Sequence, residues 1–247
     1  MLLSEPPRTQ LDLDFRLFGV PVRVHPLFWL TGVFLNLRSP DLYDMAIWLA
    51  AVFVSILMHE MGHAAAVRAS GADPAITLHA FGGITAYDPS PGYGRRWSRW
   101  AKIKVAAAGP VAGFLLAAAV VLSIRLAGHA LERQGPGGLV LMPPLGTWPA
   151  WFETWIWYLQ VTSVYWGIMN LLPIFPLDGG QIARELLLAA NPRDGIRQSL
   201  VLSIVAAVGL CAVVWLQWQD WWLALFFLLL AYESYSALQS YGARGPW

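Results

Sequence analysis

His59-Glu60-Met61-Gly62-His63 lies near the end of an apolar run of membrane length, residues 45–67. Two histidines four apart on a helix share one face, so both imidazoles can reach a single metal ion. The glutamate that follows the first histidine can reach a water on that ion. This is the spacing of zinc peptidases. Its setting is unusual, because His59, Glu60 and His63 are the only ionisable residues in the run. An ionisable group at membrane depth is costly and marks a candidate functional site. Pairing with neighbouring helices would also account for buried polar groups, but it does not require this order of residues.

The composition fits that setting. Of 247 residues, 57% are hydrophobic and 13% charged, against about 45–50% and about 25% in soluble domains. An integral protein of the lipid bilayer is expected. A net charge of +1 lacks the clustered basic excess of a nucleic-acid surface. The one cysteine, Cys211, can form no internal disulfide, and a site built from several cysteines is excluded. A metal must therefore rely on His, Asp or Glu. Residues 1–20 carry Glu5, Arg8, Asp12, Asp14 and Arg16 around no apolar core, so no signal peptide is expected, and residues 1–16 read as a cytoplasmic tail or interfacial segment.

Outward from the motif, six spans can be drawn: 24–37, 45–67, 105–124, 155–172, 200–216 and 221–232. The first is short for a span of about 20 residues. It either extends back through 17–22 with Arg23 snorkelling, or lies tilted. The last continues amphipathically to Leu238. Between the second and third spans, Pro74 stops a helix and 75–78 reads as a strand. Phe81-Gly82-Gly83-Ile84-Thr85 turns into a second extended piece. Its free edge either pairs with an extended peptide or belongs to a surface hairpin. Residues 125–150 form a Gly/Pro-rich connection, and His25, His79 and His129 lack partners at ligand spacing. After the fourth span, Pro173 and Pro176 open the backbone ahead of Asp178-Gly179-Gly180. Asp178 either caps a short helix over 180–188 or supplies a ligand. A catalytic two-histidine site needs a third protein ligand, which favours ligation.

With the N-terminus inside, only Arg38, Arg125 and Arg133 of the 16 Lys and Arg residues fall outside. This bias places both termini, the zinc motif and Asp178 toward the cytoplasm.

These residues resemble the site-2 protease family of intramembrane zinc metalloproteases. The resemblance rests on His59-Glu60-Met61-Gly62-His63, on Asn170-Leu171-Leu172-Pro173 and on Leu177-Asp178-Gly179-Gly180. Weaker landmarks are Phe18-Gly19-Val20-Pro21-Val22-Arg23-Val24-His25-Pro26, Phe81-Gly82-Gly83 and Ala108-Gly109-Pro110. Gly113 stands where many relatives carry asparagine.

The resemblance implies one zinc ion per chain, held by His59, His63 and Asp178, with Glu60 as general base. It implies a membrane-associated hairpin around Gly82 and Gly83 that handles substrate, and an asparagine, Asn170, that positions substrate or water. The expected architecture is an all-α polytopic membrane protein of about six transmembrane helices with one short β-hairpin. Residues 1–247 are expected to form a single transmembrane metalloprotease domain, a core-only member without a PDZ or other soluble regulatory domain. The implied activity is regulated intramembrane proteolysis of a transmembrane protein, single-span, in a prokaryotic cytoplasmic membrane. Two other classes use the same residues: a metal transporter or sensor, and a catalytically silent scaffold. One closed ligand set without a polar path across the membrane weighs against the first. The intact motif weighs against the second.

Overall fold

Alternation of period two opens the fold. Leu13, Phe15 and Leu17, then Val20, Val22 and Val24, flank Phe18-Gly19. In the computed structural model, which describes residues 5–36, 41–88 and 97–243, they form strands β1 (Leu13–Leu17) and β2 (Val20–Val24). Leu17 pairs with Val20 across a two-residue turn in which Phe18 and Gly19 both have positive φ, 47° and 77°. A turn of that kind matches the twist of antiparallel strands. The expected tail and backward helix extension are therefore replaced by a hairpin. Arg23 does not snorkel. It is buried in β2 and donates to Glu5 Oε1 (2.8 Å) and Asp12 Oδ2 (3.2 Å).

The first helix, α1 (Pro26–Leu35), has 10 residues, about 15 Å of rise. His25 caps it, its Nδ1 accepting from Leu27 N at 3.2 Å. Helix α2 (Leu42–Ala69) starts at the Asp41 cap, which accepts from Tyr43 N. It buries Ser55, Ile56, His59, Glu60, His63, Ala64 and Val67 on one stripe. Strands β3 (Asp73–His79) and β4 (Gly82–Asp88) follow as an antiparallel pair. Two strands can lie parallel only across a long connection. Here α1 and α2 provide it, and β3 runs parallel to β2, with Val22 opposite Ile76 and Val24 opposite Leu78. The sheet order is β1-β2-β3-β4, with β4 at one edge. The valines of β2, with Ile76 and Leu78, pack against Phe28, Val52, Ile56 and Leu57.

Helix α3 (Arg99–Leu126) carries Pro110 within it. The Gly/Pro-rich connection holds strands β5 (Glu132–Gln134) and β6 (Val140–Met142), whose Val140 and Met142 are buried with Ile124 and Ile156. Then come α4 (Ala150–Asn170), α5 (Asp178–Ala190), α6 (Gly195–Trp218) and α7 (Trp221–Ala243). Gln219, in the left-handed region, ends α6.

The described residues are thus mostly helical with two small sheets, rather than all-α with one hairpin. Among the described residues, four helices are long and apolar enough to cross a membrane: α2, α3, α6 and α7. Helix α1 is too short. Helix α4 has the length, 21 residues, but carries Glu153, Gln160 and Asn170 among its aromatics. Arg38, Arg95, Arg96 and Arg244 of the charge count lie outside the described residues.

Packing divides the chain into two compact units. One comprises residues 3–96 and 108–168 and contains both sheets. The other comprises 97–107 and 169–247, with residues 1–2. In the second unit, α5, α6 and α7 enclose the proline-broken segment before α5. Phe175 N donates to Ser203 Oγ at 3.0 Å, and Ser234 Oγ donates to Phe175 O at 3.0 Å. Irregular backbone is tolerated in apolar surroundings when such partners satisfy it.

Candidate metal centre

One turn of α2 brings the two imidazoles together. His59 Nε2 and His63 Nε2 are 3.2 Å apart. Zinc holds imidazole nitrogens at about 2.0–2.1 Å in tetrahedral geometry, which requires a separation of ~3.3 Å. A single imidazole–imidazole hydrogen bond would give a similar distance but would leave the third group unexplained. Ligand-capable atoms of His59, Glu60 and His63 all lie within 4.8 Å of one another. The three residues are 2%, 4% and 7% exposed. A buried carboxylate beside two imidazoles is costly unless a cation or hydrogen-bond donors compensate it. The donor set, its spacing and its burial all fit a divalent metal.

Neighbouring backbone shapes the space around these groups. At Gly109 of α3, an added Cβ would strike His63 Nε2 and stand 2.7 Å from His59 Nε2. Only a glycine lets α3 pass this close to both rings. Gly62 does the same in the other direction, since a Cβ there would meet Ala108 O and the Ala112 Cβ. At Gly83 of β4, a Cβ would strike the Glu60 side chain, 2.5 Å from Cδ and 2.6 Å from Oε1. Thr85, two residues on and so on the same face of the strand, donates its hydroxyl to Glu60 Oε2 at 2.7 Å.

Gly82, with φ of 112°, lies against Trp166. His79 and His25 are both buried away from the cluster of three. Burial, and then the neighbouring His25, hold the His79 imidazole below its ordinary range.

Of the residues singled out from sequence, His59, Glu60, His63 and Gly83 come together in one unit, with Gly82 beside Trp166. Asp178 and Asn170 belong to the other unit. Asp178 is the first residue of α5 and 6% exposed, followed by buried Gly179 and Gly180. Leu177, not Asp178, occupies the N-cap position, and its apolar side chain makes no capping hydrogen bond. A Cβ at Gly179 would meet Leu171 and Leu172 backbone, and one at Gly180 would meet Ile174 and Phe175. The glycines therefore seat α5 directly against the segment after Asn170, which ends α4 and is itself buried. Sequence reasoning missed Thr85 and the contact of Gly109 with the imidazoles. The period-two step from Gly83 was the available sign of Thr85. Glycine at 109 signals a close helix approach, but not that the imidazoles of α2 are what it meets.

Comparison with known proteins agrees with this chemistry. Peptidase family M50 matches residues 47–216. The chain is 30% identical over 189 residues to Rip3 of Mycobacterium tuberculosis, named as a zinc metalloprotease, covering 70% of this chain and 42% of that protein. It is 27% identical over 177 residues to zinc metalloprotease MJ0392 of Methanocaldococcus jannaschii, covering 70% and 44%. The chain thus spans less than half the length of these curated relatives. A solved site-2 protease from Methanocaldococcus jannaschii superposes with a TM-score of 0.58 at 20% identity, covering 92% of this chain and 95% of that one. The likeness extends to the fold.

Proposed function

The chain belongs to peptidase family M50, and from that premise we propose that it is a zinc-dependent endopeptidase cleaving membrane proteins in or near a transmembrane segment. The observation that carries this reading is the 3.2 Å separation of the two Nε2 atoms with the Glu60 carboxylate beside them, all buried. His59 and His63 hold the ion, and Asp178 is the third ligand. Support for Asp178 is its burial at the start of α5, where Leu177 already holds the cap position. When bound, zinc supplies a Lewis acid and a water acidified to about pKa 7. Glu60 takes a proton at its carboxylate and later delivers it to the leaving amine. Its placement one residue after His59, within reach of both imidazoles, suits that role.

A helical substrate segment keeps its amides and carbonyls bonded to each other, so it must unwind before cleavage. The edge of β4, which carries Gly82 and, beside Glu60, Gly83, is suited to receive the extended strand by β-augmentation. Asn170 helps to position it, a role that the family resemblance implies. Helix α4 joins α2, α3, α6 and α7 as full spans, and the shorter α1 completes the six as a segment that enters the bilayer part way, with the β3–β4 hairpin associated with the membrane. The excess of Lys and Arg in the segments drawn as inner supports a cytoplasmic active site and cytoplasmic termini in a prokaryotic cytoplasmic membrane. Cleavage there would be a step of regulated intramembrane proteolysis, and a single-span protein is the simplest substrate.

The test is cleavage of a labelled single-span protein co-reconstituted in liposomes, with and without a zinc chelator, alongside zinc flux across the same membranes. Cleavage that stops with chelator and returns with zinc supports the peptidase reading. Zinc flux without cleavage would replace it with a transporter.

A further inference from the structure

We propose that Thr85 is the positioning residue for Glu60, holding one carboxylate oxygen so that the other is free to take the proton. This rests on the peptidase reading above for the role of Glu60. The Thr85 hydroxyl donates to Glu60 Oε2 at 2.7 Å, and its oxygen also lies 3.2 Å from the Glu60 backbone carbonyl. Bonds from a hydroxyl to an ionised carboxylate are short and about twice as strong as neutral ones.

The strand that presents Thr85 is itself held in place. β4 pairs with β3 from Asp73–Asp88 to His79–Gly82, with Thr85 opposite Ile76, and Ile76 is buried in the sheet core. Gly83, one pleat back on the same face, lies against the same side chain, where an added Cβ would stand 2.5 Å from Cδ and 2.6 Å from Oε1. One strand thus anchors Oε2 through a hydroxyl and leaves room for the Glu60 side chain through a missing one of its own. Glutamate has three rotatable bonds, and a general base acts only when its oxygen is held within reach of the proton. Threonine also suits β4 for its β propensity alone, so the test must separate donor from shape.

Thr85→Val keeps shape and β propensity and removes the donor. Thr85→Ser keeps the donor. The expected result for Thr85→Val is a fall in kcat of about 10- to 100-fold, with KM and zinc content unchanged, while Thr85→Ser stays near wild type. Equal loss in both variants, or none in Thr85→Val, would overturn the proposal. A second readout needs no activity. In metal-free protein, Tm is measured for wild type, Thr85→Val, Glu60→Ala and the double variant. Non-additive Tm losses, with Thr85→Val costing little once Glu60 is gone, support the coupling, and additive losses overturn it. If wild type cleaves nothing, the peptidase reading fails by itself, and the cycle still decides whether Thr85 holds Glu60.

Discussion

Gly109→Ala places one methyl group where the two imidazole nitrogens converge. The new Cβ would strike His63 Nε2 and stand 2.7 Å from His59 Nε2, short of an ordinary contact of about 3.5 Å by roughly 0.8 Å. Helix α3 cannot retreat cheaply in response, because Ala108 O and Ala112 are already seated against Gly62 of α2. The rings must turn instead, and at least one nitrogen leaves its place. A structural zinc site is worth on the order of 10–16 kcal/mol over four ligands. That is roughly 3 kcal/mol per ligand, or ~10²-fold in affinity. The overpacking itself costs about 1–3 kcal/mol of stability, so the protein should still fold. The assay is zinc affinity by competition with a chromogenic chelator in detergent, with Tm followed in parallel. A folded Gly109→Ala protein that binds zinc within about threefold of wild type would refute the placement of the ion between these rings.

Gly209→Ala in α6 is the matched control: a Cβ there meets nothing within 4 Å, so thermal unfolding should show a gain of about 0.5–1 kcal/mol. A loss would mean that another surface packs on that helix face. Arg23→Ala should lower Tm far more than Arg8→Ala, because Arg23 is buried and pairs with the buried Asp12 carboxylate and the half-exposed Glu5, whereas the Arg8–Asp14 pair is exposed. Equal losses would show that the buried pairs contribute no more than a surface pair. The Asp12 carboxyl is held below its ordinary range, chiefly by the Thr9 hydroxyl at 2.6 Å. A depressed carboxyl stabilises the fold above the unfolded value near 3.9 and loses that contribution as pH falls through the folded value. Thr9→Val should therefore lower stability at pH 6 and lose that effect as acid protonates Asp12 in the folded protein. A pH-independent effect would assign Thr9 to packing.

What was legible in the sequence was local. His59 and His63 are one helical turn apart, so their convergence follows from helix geometry alone. Pro74 and Gly82-Gly83 punctuate two extended pieces, and these are β3 and β4. Pro173 and Pro176 break the chain before Asp178, and α5 starts there, two residues earlier than the helix expected over 180–188. The N-terminal hairpin was hidden because β1 is exposed nearly throughout and its Asp14 and Arg16 resemble a polar tail, although Phe18-Gly19 is a hairpin turn. Arg23 reads as a membrane-edge cation until its partners Glu5 and Asp12, 18 and 11 residues away, fold back to it. Thr85 and Gly109 act through contacts 25 or more residues distant, which periodicity cannot report. Strands β5 and β6 have three residues each, too short for an alternation signal.

The most direct test of the central claim is the zinc content of the detergent-purified protein, read for wild type, Asp178→Ala and Glu60→Gln, with cleavage of a single-span substrate followed in the same samples. About one zinc per chain is expected in wild type, a clear loss in Asp178→Ala, and full zinc without cleavage in Glu60→Gln. Unchanged zinc in Asp178→Ala would remove the third ligand, and normal cleavage by Glu60→Gln would remove the base.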